Sequence, residues 1–236
     1  FLDFVDASIV NVALPSIRGQ LGFTVQNLQW VLSAYLLTYG GLILLGGRLA
    51  DLFGRRRIVV TGTVIFLASS MTAGLATGAE VMVGSRLIQG AGAALMVPAA
   101  LSLITTTFRD PRERQKALGA WGALAGLASG FGVLLGGLLT DLIDWRWVFF
   151  VNLPAAVAIL IGVFRLVPAD GPIRFQRIDV VGALLVTAGM LLLVYTIVEA
   201  PTRGWSANHT LSGLFGAGAV LLAFVIWELR QAKPLF

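Results

Sequence analysis

Asp3 and Asp6 stand three residues apart in a largely apolar stretch at 1–17, and Arg86 and Gln89 stand three apart in another at 81–108. On a helix, positions three apart share a face. In a bilayer, a charge near the centre costs about 2.5 to 3.5 kcal/mol on insertion scales, so an ionisable residue kept there is a candidate for function. If the first helix leaves the membrane near Ile17, Asp6 lies eleven residues deeper. That is roughly 16 Å at about 1.5 Å per residue, close to mid-membrane. Neighbouring carboxylates oppose each other's ionisation, so one of them can hold a proton near neutral pH, as a proton carrier must. A buried arginine requires an anion, and Asp6 is the intramembrane partner expected for Arg86. Plainer readings stand beside these: Asp3 at the cytoplasmic interface, Asp6 bonding only to a neighbouring helix, and Arg86 snorkelling to the headgroups.

Such residues need apolar helices to position them. Of 236 residues, 57% are hydrophobic and 12% charged, with a mean hydropathy of +0.88, far from the balance of a soluble domain. Hydropathy predicts eight membrane helices at about 1–17, 29–50, 58–77, 81–108, 117–140, 148–166, 180–198 and 210–229. A stretch such as 182–198 is apolar at nearly every position, which excludes the alternation of barrel strands. The predicted fold class is therefore an all-α integral membrane protein. No length remains for a large soluble catalytic domain. With no cysteine and one histidine, disulfides, a thiolate nucleophile, a Cys-based metal site and a His cluster are not expected. No H-E-x-x-H, G-x-S-x-G or Walker loop occurs, so the sequence predicts no enzyme, no metal and no cofactor.

The 17 Lys and Arg exceed the 12 Asp and Glu, but they fall in short clusters between the spans and read as loops, not as a nucleic-acid surface. Arg55, Arg56 and Arg57, then Arg109, Arg112, Arg114 and Lys116, then Arg165, Arg174 and Arg177, then Arg230 and Lys233 occupy alternate gaps. Those gaps, and both ends of the chain, are predicted to be cytoplasmic in the cell membrane. Trp30, Trp145, Trp147, Trp205 and Trp227 fall near predicted interfaces. A Pro- and charge-bearing linker at 169–179 divides a six-helix unit, 1–168, from a helix pair, 180–229, and 230–236 reads as the start of another linker. The chain opens on Phe1 inside an apolar stretch, so its first helix is expected to be truncated. In the fifth span, Gly122, Gly126 and Gly130 recur in steps of four, a spacing that lets another helix approach closely.

Several motifs resemble those of the major facilitator superfamily, specifically its fourteen-helix drug:proton antiporter branch. Gly47-Arg48-Leu49-Ala50-Asp51-Leu52-Phe53-Gly54-Arg55-Arg56-Arg57 looks like the superfamily signature between helices two and three. The resemblance implies a cytoplasmic charge network of Gly47, Asp51, Gly54, Arg55 and Arg56 that latches the outward-open state. Asp6-Ala7-Ser8-Ile9-Val10-Asn11-Val12-Ala13-Leu14-Pro15 resembles the branch's first-helix motif, with Val5 and Ser8 in place of Leu and Thr. Arg86-Leu87-Ile88-Gln89-Gly90 resembles the fourth-helix motif, whose arginine the family associates with proton transfer. Gly132-Val133-Leu134-Leu135-Gly136-Gly137 is similar to the fifth-helix antiporter signature, with Val133 where proline is usual and Ala128 where an earlier glycine often sits. Trp145-Arg146-Trp147-Val148-Phe149-Phe150-Val151-Asn152-Leu153-Pro154 matches the entry to the sixth helix.

The resemblance implies proton-coupled export of drug-like or amphipathic small molecules, with Asp6, Arg86 and Asp3 coupling protons and the proton gradient as energy source. Gly132, Gly136 and Gly137 form the antiporter-like contact, and Asn11 and Gln89 are expected to contribute to the substrate cavity. The implied partners are the small-molecule substrate, protons, the lipid bilayer and a missing carboxy-terminal six-helix half. Two alternatives stay open: a symporter or uniporter for another small solute, which Val133 keeps in play, and a non-transporting membrane sensor or assembly subunit.

Overall fold

The computed structural model describes residues 1–171 and 179–230, Val180 by its backbone alone. Arg174, Arg177 and Lys233, most of the 169–179 linker, and 231–236 lie outside the described residues. Within them the chain forms ten helices: α1 (Leu2–Leu21), α2 (Val25–Leu28), α3 (Trp30–Phe53), α4 (Arg55–Gly74), α5 (Ala79–Thr107), α6 (Pro111–Leu142), α7 (Trp147–Phe150), α8 (Asn152–Leu166), α9 (Val180–Arg203) and α10 (Asn208–Arg230). Eight are long and two are single turns, so the eight predicted helices are present. Seven segments are long and apolar enough to cross a membrane; α1 matches them in length but carries Asp3, Asp6 and Arg18.

The boundaries differ from expectation where capping outruns hydropathy. Helix α6 begins at Pro111, not near 117, because the Asp110 carboxylate accepts from the backbone N–H groups of Arg112 at 2.9 Å and Glu113 at 3.1 Å. A proline in the first turn forfeits no helical hydrogen bond. Helix α1 runs on to Leu21, and Gly22 ends it in the left-handed conformation at φ 68°.

Helix α5 packs most extensively, against α3 and α4, while α6 lies along α1, and α9 pairs with α10 and docks on α3. Small residues set these distances. A Cβ on Gly46 would lie 2.0 Å from the Ala94 carbonyl oxygen, and one on Gly90 2.3 Å from that of Tyr35, so α3 and α5 touch backbone to backbone. The expected close approach at Gly122, Gly126 and Gly130 is not made among the described residues, where a Cβ would meet nothing within 4 Å. The close contact is at Gly132 and Gly136, whose Cβ positions would fall 2.8 Å from Val5 O and 3.0 Å from Ile9 O of α1. Two residues turn a helix by about 200°, so Gly132 faces away from Gly130.

Two apolar clusters fill the bundle. One gathers Ile9, Ala73, Met82 and Phe149; the other gathers Leu2, Phe66, Ala93 and Tyr35. Along α1, α4 and α5 alike, Asp6, Ser70, and Arg86 with Gln89 fall between members of the two. A polar layer therefore crosses an otherwise apolar core. Trp145, expected in an interfacial girdle, is instead packed inside at 1% exposure, its indole N–H donating to Gln20 Oε1 at 2.8 Å.

Candidate functional site

The polar layer centres on Asp6, which is fully buried. Its Oδ2 accepts from Arg86 Nη1 at 2.6 Å, and its Oδ1 accepts from Gln89 Nε2 and Asn152 Nδ2, each at 2.8 Å. Arg86 is buried too, so it does not snorkel. Its Nε donates to the Val31 carbonyl at 2.9 Å, its Nη1 also donates to Gln89 Oε1 at 2.7 Å, and its guanidinium lies 4.4 Å from the centre of the Tyr35 ring. Withdrawing an ion from water costs several kcal/mol, and attraction offsets this only when the remaining lone pairs and protons are also satisfied. Here Asp6 accepts three hydrogen bonds from two neighbouring helices, and Arg86 donates from Nε and Nη1; hydrogen bonds to a charged group each contribute about 1.5 to 3 kcal/mol.

Gln89, expected on a cavity wall, is buried with both ends of its amide committed to the ion pair. Asn11 is exposed, its amide donating back to Ala7 O at 2.9 Å. Asp3 accepts from the Tyr35 hydroxyl. The two carboxylates are therefore served by different groups, Asp6 by a cation and Asp3 by a phenol. Beside Asp3 lies a cavity of about 480 Å³, walled by Phe4, Val97, Trp121 and Ile159 among others. Gly132 and Gly136 press on α1 at Val5, Ser8 and Ile9, next to Asp6, whereas Gly137 meets nothing within 4 Å.

A second site lies where α3 passes into α4. Gly54 adopts φ 103°, a conformation that favours glycine. Asp51, near the end of α3, pairs at 3.1 Å with Arg55, four residues on and across Gly54 at the start of α4. Asp170, from the segment after α8, accepts from the backbone N–H groups of Arg56 and Arg57 at 3.2 and 2.8 Å, where the α4 N-terminus offers unpaired donors. In return, the Arg56 guanidinium donates to the Phe164 carbonyl at 3.2 Å and covers its ring, near the C-terminus of α8. A Cβ on Gly54 would lie 2.4 Å from Asp170 Cγ, so glycine is needed for space as well as for conformation. A Cβ on Gly47 would meet only Pro98, at an ordinary 3.8 Å.

Asn152, Ser70 and Asp170 were not singled out as site residues by sequence reasoning. Asn152 had a signal, an amide inside an apolar span within a recognised motif; Ser70 and Asp170 had none. Among the described residues, no group of three His, Asp or Glu could hold a metal ion.

A model of the Major Facilitator Superfamily matches residues 1–229. The chain belongs to that superfamily. This Major Facilitator Superfamily chain is 43% identical over 232 residues to a puromycin resistance protein of Streptomyces alboniger, covering 98% of itself and 46% of that protein. It is 40% identical over 238 residues to a cephamycin export protein of Amycolatopsis lactamdurans, covering 100% of itself and 49% of that protein. The crystal structure of the POT family transporter PepTSo shares its fold, with a TM-score of 0.55 at 16% identity over 95% of this chain and 51% of that one. The chain thus spans about half the length of the curated relatives it matches. The superfamily makes it a multi-pass membrane protein of a transporter family, not an enzyme.

Proposed function

We propose that this chain is the amino-terminal part of a secondary exporter that moves drug-like or amphipathic small molecules out of the cell in exchange for protons. The observation that carries the reading is the buried Asp6–Arg86 pair at 2.6 Å. A carboxylate so placed has one mobile variable, its proton. When a proton from outside reaches Asp6, the pair becomes a lone buried cation, and the state that gives Arg86 water or another partner gains population. Substrate leaves as the proton enters. Asp3, bonded to Tyr35, lies on the same helix and extends the coupling site toward the apolar cavity. That cavity, and the exposed face of α1 bearing Asn11, suit hydrophobic compounds with few polar anchors. The relatives named for puromycin resistance and cephamycin export favour the same class.

On this reading residues 1–168 form one six-helix domain, 180–229 the extra pair, and a second six-helix domain in the rest of the polypeptide rocks against the first about a midplane site. The basic ends are cytoplasmic. The Asp51–Arg55 pair and the Asp170 contacts latch that side in the outward-open state, and Gly132, Gly136 and Gly137 form the antiporter-like contact.

The test uses the full-length protein in inverted vesicles, following ethidium, puromycin and lincomycin with and without an acid-inside gradient. Uptake that requires the gradient and vanishes in Asp6→Asn, with insertion unchanged, is expected. Gradient-independent uptake with a silent Asp6→Asn would replace export by facilitated transport, the alternative that Val133 in the fifth-helix motif keeps open.

A further inference from the structure

Asn152 is buried at 1% exposure at the start of α8, and nothing in the ion pair itself requires it. A carboxylate only accepts hydrogen bonds, so the atom facing Asp6 Oδ1 at 2.8 Å must be the amide nitrogen. That nitrogen has two hydrogens; the second goes to Ser70 Oγ at 3.0 Å, and the Ser70 hydroxyl in turn donates to the Phe149 carbonyl at 2.9 Å. The amide is thus aimed from both sides, by α4 and by the corner between α7 and α8. We propose, resting on the proton-coupling reading, that Asn152 is a positioning residue of the coupling site. It holds Asp6 in its charged form and ties that charge to α8 and, through Ser70, to α4, so that protonation of Asp6 loosens the contact of α1 with α8.

The other charged or titratable groups facing Asp6 are Arg86 from α5, Tyr35 from α3 beneath the Arg86 guanidinium, and Asp3 on α1 itself. At the level of Asp6 the other elements packed on α1 bring no charge: α2, α7, residues 117–140 of α6 and residues 152–164 of α8 are uncharged, Ser70 of α4 reaches Asp6 only through Asn152, and Arg146 meets α1 at Gln20, near its other end. With so few groups, one donor is a large share of what favours the carboxylate. Removing it disfavours the charged form, so the proton departs only at higher pH.

The experiment is an infrared pH titration of the purified full-length protein, reading the protonated-carboxyl band that Asp6→Asn removes. In Asn152→Leu, close to isosteric but without a donor, the midpoint of that band is expected to rise by about one pH unit. Ser70→Ala, a milder change, should raise it by less, and it carries the test if the leucine variant does not fold. An unchanged midpoint in a folded variant overturns the proposal and leaves Asn152 a packing residue, with proton coupling at Asp6 intact. Absence of any Asp6-dependent band between about pH 2 and 9, the span that ion-paired and buried carboxyl groups cover in proteins, overturns both this proposal and the proton-coupling reading. Vesicle transport measured against pH in the same variants should show the same upward displacement; a merely structural role would lower its amplitude without moving it.

Discussion

At the scale of single residues, a buried ion pair is costly to break from one side. Arg86→Met leaves the Asp6 carboxylate buried with its cation gone, and a loss of about 3 to 5 kcal/mol is expected. Adding Asp6→Asn removes the orphaned charge, so the double variant should recover part of that loss although it has lost more polar contacts. Thermal unfolding of the purified full-length protein measures this; a double variant no more stable than Arg86→Met would show that the charges are not what couples the two positions. The fully buried Arg86 also explains why a motif of Arg and Gln three apart suits this place: Gln89 binds both members of the pair through opposite ends of one amide.

At the scale of elements, helix contacts are set by a few glycines and two helix termini. Gly132→Ala would put a methyl 2.8 Å from Val5 O and 2.9 Å from Ser8 Cβ, which neither backbone nor Cβ can vacate cheaply, so a loss of about 1 to 3 kcal/mol is expected. Gly162→Ala, where nothing lies within 4 Å, should instead be neutral or stabilising by up to about 1 kcal/mol, since alanine is the better helix former. The two melting temperatures should move in opposite directions or differ clearly. At the α4 N-terminus, Asp170→Ala removes a cap worth about 0.5 to 2 kcal/mol. Hydrogen exchange at the amides of Arg56 and Arg57 should quicken, with the middle of α4 unchanged; equal protection in both proteins would mean that Asp170 does not hold that end.

At the scale of the whole molecule, the helix pair docks on α3 through α9, with Leu191 against Gly41, Val194 against Gly40, and Tyr195 stacked on Trp30 at 6.2 Å. A Cβ at position 40 would lie 3.2 Å from a Val194 methyl, within reach of a disulfide. This part of the chain has no cysteine, so Gly40→Cys with Val194→Cys provides a clean probe. Oxidation of the full-length double variant is expected to crosslink the two positions, as read by mobility after cleavage between them. Failure to crosslink would mean that the pair lies elsewhere in the full-length protein.

The all-helical membrane fold, the number of long helices and the pairing of Asp6 with Arg86 were legible in the sequence, whereas Gln89 was expected on the cavity wall and not between the two charges. Hydropathy over about 20 residues and three-residue spacing are local properties of one helix, and a charge in an apolar run is conspicuous. What was not legible depended on which helix meets which. Asp170 lies 114 residues from the Arg56 amide it binds, and Asn152 lies 146 from Asp6. Trp145 was expected among interface residues and is in the core, because burial depends on neighbours that its own segment does not specify. The glycine steps at 122, 126 and 130 had the right spacing but not the face that meets α1. Periodicity in a sequence states which residues share a side of a helix; only the packed bundle decides which side has a partner, since that depends on the rotation and crossing of helices far apart in the chain.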